Sequence, residues 1–200
     1  MRMSFQEIFE LVKPRLQMDV NRARSLYSNA GDAASLQGEF WECGVFRGGS
    51  ARILAEVLRY RPRHLRLFDT FSGFPNINSE DGTYPKKGMF TATSVEDVRG
   101  FVNADFAILH PGTIPDTFAG LEDSRIAFAH IDVDLYEPTK AALEFVLPRM
   151  VEGGVVIVDD FADSHWPGAA KAVVEIAVDR FHKELKFYNF GKHDRHVAIL

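Results

Sequence analysis

The run Phe40-Trp-Glu-Cys-Gly-Val-Phe-Arg-Gly-Gly-Ser50 constrains this chain more than any other feature. It passes from apolar residues of strand character, through a turn rich in glycine, into a segment of helical spacing. Gly44 permits the tight turn, while Gly48 and Gly49 let backbone come close to a ligand at the start of a helix. Ser50 can satisfy free amides there or touch the ligand. An ordinary strand–helix connection can look the same, so the neighbouring residues decide between the two.

The rest of the chain repeats that rhythm. Short apolar runs predict strands over 39–43, 65–69, 106–110, 125–131, 154–158, 186–190 and 196–200, the last two an antiparallel edge pair around Gly191–Asp194. Helical spacing predicts helices over 5–16, 19–29, 48–60, 94–102, 138–149 and 167–183, with Pro14 kinking or ending the first. Asn29-Ala-Gly-Asp32 reads as a break. Strands alternating with helices imply an α/β fold: a doubly wound, mostly parallel seven-stranded sheet with right-handed crossovers. We take residues 1–37 as a short helical N-terminal cap and 38–200 as the α/β domain. Residues 72–87, rich in Gly, Pro, Asn and Ser, form a long loop of functional or mobile character.

Composition removes several function classes. Two hundred residues with 46% hydrophobic content suit one domain with a real core. A net charge of −5 argues against a nucleic-acid partner. One cysteine, Cys43, excludes an internal disulfide and fits a reducing, cytoplasmic setting as an inert buried thiol. Charges at Arg2, Glu7, Glu10, Lys13 and Arg15 interrupt the N-terminal apolar residues, so neither a signal peptide nor a membrane span is expected.

Two acidic residues qualify the glycine turn. Glu42 stands at the strand end, where it would repel a pyrophosphate and favour a cofactor with a cationic amino acid portion. Asp69, at the end of the next strand, can accept hydrogen bonds from two ribose hydroxyls. The spacing Gly44-x3-Gly48 also departs from the dinucleotide pattern, which counts against a nucleotide-linked oxidoreductase. Further on, His130-Ile-Asp-Val-Asp-Leu-Tyr136 and Val158-Asp-Asp-Phe161 end two strands where open α/β sheets place their chemistry. Asp132, Asp159 and Asp160 can converge there. Clustered carboxylates repel unless protonated, paired or metal-bound, and an all-oxygen set suits Mg²⁺ or another hard divalent ion. The other reading is that they cap helices or pair with Arg and Lys. Asp132 and Asp134 are the candidate bases. Phe71 and Phe74 can stack on a ligand or merely anchor their loop, Lys86, Lys87 and Phe90 suggest the edge of a lid, and His165 and Trp166 can line a substrate pocket.

Taken in order, the motifs Glu42–Ser50, Phe68-Asp-Thr-Phe-Ser-Gly-Phe-Pro75, His110-Pro-Gly-Thr-Ile-Pro-Asp-Thr117, His130–Tyr136 and Val158–Phe161 resemble those of the macrocin O-methyltransferase (TylF-type) family. The resemblance implies a Rossmann-like class I methyltransferase fold and S-adenosylmethionine as cofactor. It also implies a divalent metal, usually Mg²⁺, and methylation of a hydroxyl on a sugar or other small natural product. By position, Glu42, Gly44 and Ser50 would line the methionine end of the cofactor. Asp69 would bind the ribose, with Thr70 and Gly112 among the cofactor contacts. Asp132, Asp159 and Asp160 would hold the metal, and Asp132 or Asp134 would assist deprotonation. Homo-oligomers, dimer or tetramer, are implied too, although the stretch before the first strand is short for the family. A catalytically inactive, methyltransferase-like binding protein is the non-enzyme alternative.

Overall fold

The computed structural model describes residues 3–61, 63–161, 163–189 and 195–199. Two helices precede the first strand. Helix α1 (Phe5–Val12) starts at a capping box in which the Ser4 hydroxyl accepts from the Glu7 amide and the Glu7 carboxylate accepts from the Ser4 amide. It ends at Val12, and Pro14 sits in a short 3-10 turn, Lys13–Arg15. Helix α2 (Val20–Ala33) is capped by Asp19, which accepts from the amides of Asn21 and Arg22.

The break expected at Asn29–Asp32 is absent, because α2 continues to Ala33. Ala23, Leu26, Ala30 and Ala33 form a buried stripe on that helix. Asn29 donates its side-chain amide back to the Ser25 carbonyl, 2.8 Å away, instead of competing for the turn. One glycine inside a helix costs about 1 kcal/mol relative to alanine, less than burying such a stripe returns.

The sheet is built from β1 (Glu39–Cys43), β2 (Leu65–Asp69), β3 (Ala107–Pro111), β4 (Ile126–Ile131), β5 (Met150–Val158), β6 (Leu185–Asn189) and β7 (Arg195–Ile199). Their spatial order is β3-β2-β1-β4-β5-β7-β6. The first five run parallel, and β7 pairs antiparallel with both β5 and β6. The turn expected around Gly191–Asp194 lies outside the described residues. Strand β5 begins four residues earlier than its apolar run suggests, since Glu152-Gly-Gly154 interrupts the hydrophobic pattern but not the strand.

Between the strands lie α3 (Gly49–Leu58), α4 (Val95–Val102), α5 (Tyr136–Val146) and α6 (Pro167–Val173). After Val173 the chain widens into a π-helix, Val174–Arg180, with the Phe181 amide bonded to the Ile176 carbonyl five residues back. The sequence predicts one regular helix here because no glycine or proline between Ala169 and Lys183 marks the change.

Alternation along the strands divides the core in two. Phe40, Leu65, Leu67, Phe128 and Ile157 face α1, α2, α3 and α4. Trp41, Phe68, Ile131, Val156 and Val158 face α5 and α6. The Trp41 ring packs against Phe68, Phe118 and Phe145, with its indole N–H donated to Glu39. Among the described residues, no helix is long and apolar enough to cross a membrane.

The strand order leaves β1 and β4 as neighbours from which the chain winds outward in opposite directions. A crevice opens at such a switch point, outside the carboxyl ends of the strands.

Candidate active site

Gly44 ends β1 at the switch point with φ +88°. A Cβ on it would lie 1.8 Å from the Asp132 carbonyl oxygen, so no other residue fits without moving β4. The Gly44 amide donates to Phe68 O at 2.9 Å and the Asp132 amide to Cys43 O at 2.8 Å. Three strand ends are thereby fixed to one another. They floor a cavity of about 770 Å³ whose lining includes Gly44, Ser50, Asp69, Thr70, Gly112 and the carboxylates Asp132, Asp134, Asp159 and Asp160. That volume suits a small-molecule cofactor together with part of a substrate.

On the glycine-turn side, Asp69 is already occupied. Its Oδ2 accepts from the amides of Val45 and Phe46, each at 2.8 Å, and its Oδ1 from the amide of Phe71 at 2.7 Å. The side chain braces the turn, and a ribose would have to share its remaining lone pairs. Glu42 takes a different place from the one its position suggests. It is wholly buried and does not line the cavity, because β1–β4 pairing sets it opposite His130. Its Oε1 lies 2.9 Å from His130 Nδ1, and its Oε2 and His130 Nε2 are both buried without a hydrogen-bond partner. Burial disfavours the charged imidazole, but the hydrogen bond and charge of Glu42 outweigh it and raise the His130 pKa.

Gly49 also has a role the sequence did not suggest. A Cβ there would meet Arg15 O and the Leu16 Cα, both at 3.0 Å. The close backbone neighbour at this glycine is therefore the N-terminal segment, which crosses the start of α3. Cys43 is fully buried, and burial together with the charge of Glu42 pushes its thiol well above the usual range, as expected for an inert group.

The carboxylate side is less well compensated. Asp132 and Asp134 follow β4, and Asp159 and Asp160 follow β5. One oxygen each from Asp132, Asp134 and Asp160 lies within 4.8 Å of the others. Asp134 and Asp160 both hold left-handed backbone, φ +60° and +59°, which aims their side chains inward at some cost in strain. Burial and the negative charge of Asp159 raise the Asp132 pKa to about 7. Burial and the charges of Asp159 and Asp132 raise Asp160 to about 8, and Arg22 only partly offsets them. Burial and the same carboxylates push Asp134 well above its usual range.

Asp159, expected in the metal set, is bound elsewhere. Its Oδ1 accepts from Arg22 Nη1 at 2.6 Å and from the Asp160 amide at 2.9 Å, and lies 3.1 Å from His196 Nε2. Burial opposes its ionisation, but His196 and Arg22 prevail and hold it far below the ordinary carboxylate range. The structure thus groups Asp132, Asp134 and Asp160, while Asp159 shows the Arg pairing that the sequence also allowed.

Arg22, His196 and Asp81 are the residues that sequence reasoning missed. Arg22 carried one signal: it precedes Leu26, Ala30 and Ala33 at helical spacing, a charged residue at the head of a buried stripe. Asp81 ties down the 72–87 loop. It accepts from the Tyr136 amide at 2.6 Å, at the start of α5, and from the Asn78 amide at 2.8 Å. Around the mouth, Phe90 packs its ring on Phe46 and Phe74, and Phe74 and Tyr84 pack on Trp166. Phe74, Phe90 and Trp166 line the cavity. Lys86 and Lys87 are exposed and His165 pairs with Asp163, so these three stay outside it.

Comparison with known proteins bears on this arrangement. The model of the macrocin O-methyltransferase (TylF) family matches residues 23–187. The 8-demethyl-8-(2,3-dimethoxy-alpha-L-rhamnosyl)-tetracenomycin-C 4'-O-methyltransferase of Streptomyces olivaceus is 33% identical over 145 residues, 65% of this chain and 55% of that protein. The chain therefore spans about half the length of the curated relatives it matches. Among solved structures, the calicheamicin methyltransferase CalS11 superposes with a TM-score of 0.75 at 24% identity, over 96% of this chain and 90% of that one. An O-methyltransferase from Bacillus cereus, in complex with SAH, gives 0.66 at 15% identity, over 98% and 90%. These two show that the fold is that of the class I O-methyltransferases.

Proposed function

Since the chain belongs to the macrocin O-methyltransferase family, we propose that it moves the methyl group of S-adenosylmethionine to a hydroxyl of a sugar or similar small natural product, aided by a divalent cation such as Mg²⁺. One observation carries this reading: a braced glycine turn and a cluster of under-compensated carboxylates share a single cavity. Gly44 and Ser50 are placed for the methionine end. Asp69, with Thr70 and Gly112 beside it, faces the ribose side. Glu42 stays beneath the cavity, paired with His130, and makes no direct contact with it.

The donor set fits a hard cation, since Asp132, Asp134 and Asp160 present only oxygens at close range. Such an ion, when bound, supplies a lower pKa for an acceptor hydroxyl. Asp132 or Asp134, through an oxygen left free by the ion, then takes the hydroxyl proton. The acceptor oxygen bonds to the methyl carbon as the carbon–sulfur bond breaks, leaving S-adenosylhomocysteine. Phe74, Phe90 and Trp166 keep water from the reacting atoms and give a sugar or ring a flat apolar wall. Cytoplasmic location and self-association belong to the same proposal, the first resting on the single buried thiol.

Calorimetric titration with S-adenosylhomocysteine and with NAD(H), followed by turnover on glycosylated and phenolic hydroxyl compounds with and without chelator, tests the reading. Micromolar S-adenosylhomocysteine binding and chelator-sensitive methyl transfer are expected. Binding of NAD(H) alone would return the oxidoreductase alternative, and cofactor binding without turnover on any hydroxyl would favour a binding protein.

A further inference from the structure

The segment 13–22 runs across the cavity, which Arg15, Leu16, Gln17, Met18 and Arg22 help to line. It is fastened at two places. At the glycine-turn end, Arg15 makes a two-pronged pair with Asp97 at 2.5 and 2.9 Å, while Arg47 Nη1 donates to Pro14 O at 3.3 Å. At the carboxylate end, Arg22 Nη1 lies 2.6 Å from Asp159 Oδ1 and 3.3 Å from Asp160 Oδ1, and its Nη2 donates back to Gln17 O at 3.1 Å.

The two fastenings differ in kind. The Arg15–Asp97 pair is largely exposed on its acidic partner, whereas Arg22 is buried and its Nε has no hydrogen-bond partner. A buried guanidinium with an unmet donor is not in a fully satisfied resting place. The Asp19 cap holds the Arg22 backbone amide, while among the described residues the side chain's hydrogen bonds run to Asp159, Asp160 and the Gln17 carbonyl.

A divalent ion ligated by these carboxylates would sit about 2 Å from their oxygens. Arg22 donates to the same atoms, so the two cations would be close neighbours in a buried site and would repel. We infer that Arg22 is a built-in counter-ion that a divalent cation must displace from Asp159 and Asp160, so that loading the site releases the 17–22 end of the segment from the cavity. This rests on the proposal that the carboxylates hold a cation. It also accounts for the Asp159 geometry: Asp159 can join the Asp132, Asp134 and Asp160 set only after Arg22 has left its Oδ1. In the closed arrangement Arg22 neutralises part of the cluster and keeps the segment over the cavity. In the loaded one the cation takes over that charge and the mouth opens toward the acceptor.

The test uses the full chain without cofactor. Mn²⁺ binding, followed by electron paramagnetic resonance, is compared for wild type, Arg22→Met and Arg22→Lys. Arg22→Met should bind Mn²⁺ at least about tenfold more tightly, because no internal cation has to be displaced. Arg22→Lys should fall between the two, since it keeps the charge but loses the planar fork. In wild type, hydrogen exchange of residues 17–22 should speed up on Mn²⁺ saturation while residues 13–15 change little. Equal Mn²⁺ affinity in wild type and Arg22→Met overturns the inference and leaves the cation reading standing. Failure of both to bind Mn²⁺ overturns the cation reading itself. If Arg22→Met does not fold, the wild-type exchange decides: unchanged exchange at 17–22 under saturating Mn²⁺ overturns the competition.

Discussion

The two sides of the cavity treat their carboxylates in opposite ways. On the β1–β2 side, Asp69 spends lone pairs on three backbone amides and leaves little acceptor capacity over. On the β4–β5 side, Asp132, Asp134, Asp159 and Asp160 face one another with the Arg22 guanidinium and the His196 ring as close partners. One side is a cradle shaped before any ligand arrives. The other stores unfavourable electrostatics that a proton or a cation can relieve. This is the division expected of a site that must position one molecule and activate another.

The largest consequence of that difference is a pH dependence. Asp132 and Asp160 have pKa values raised to about 7 and about 8, against about 4 in an unfolded chain. Between these limits the folded protein binds more protons than the unfolded one, so its stability falls as pH rises. The contribution is complete below about pH 4 and is lost as pH passes through 7 and 8. Each excess proton contributes a slope of about 1.4 kcal/mol per pH unit, so a loss of about 4 kcal/mol is expected from pH 6 to pH 9. Urea unfolding in chelator across that range measures it, and the slope should flatten under saturating Mg²⁺. A flat or rising curve in chelator would remove the asymmetry between the two sides.

The second prediction probes the cradle. Asp69→Ala deprives the Val45, Phe46 and Phe71 amides of their shared acceptor. These part-buried amides lose their shared acceptor, so the expected cost is about 2 kcal/mol, with S-adenosylhomocysteine affinity falling at least about tenfold. Thermal unfolding and calorimetry report the two effects. Unchanged cofactor affinity in a folded variant would mean that the turn holds its shape without the brace.

The sequence made these two sides unequally legible. The parallel sheet followed from apolar runs separated by helical spacing, and Gly44 and Asp69 stood at strand ends where topology alone forces them into the crevice. What Asp69 touches was not legible, because its partners are backbone amides that carry no residue signature. Glu42 illustrates the complementary limit. Strand register pairs it with His130, and only that pairing shows it lying beneath the cavity instead of lining it. Arg22 and His196 reach Asp159 from 137 residues before and 37 after, separations over which no spacing rule operates. The sequence therefore shows a set of acids and allows their pairing with Arg, but does not show which Arg or His pairs with them.

The smallest predicted effect has the opposite sign to that of Asp69→Ala. Asp134 sits at φ +60°, a conformation asparagine adopts readily, and its pKa is pushed well above the carboxylate range by burial and by Asp132 and Asp160. Asp134→Asn replaces this group by a neutral isostere that can donate to Asp160. At pH 8 in chelator the variant should gain about 1 kcal/mol, seen as a rise in Tm of about 2–4 °C. The gain should shrink as pH falls and the acid takes up its proton. The same substitution removes an oxygen from the proposed cation set, so Mn²⁺ affinity should drop as stability rises. Removing a carboxylate would then weaken the fold on one side of the cavity and strengthen it on the other. A loss of Tm at pH 8 would show instead that Asp134 is a satisfied structural group, and that the stored repulsion lies in Asp132, Asp159 and Asp160 alone.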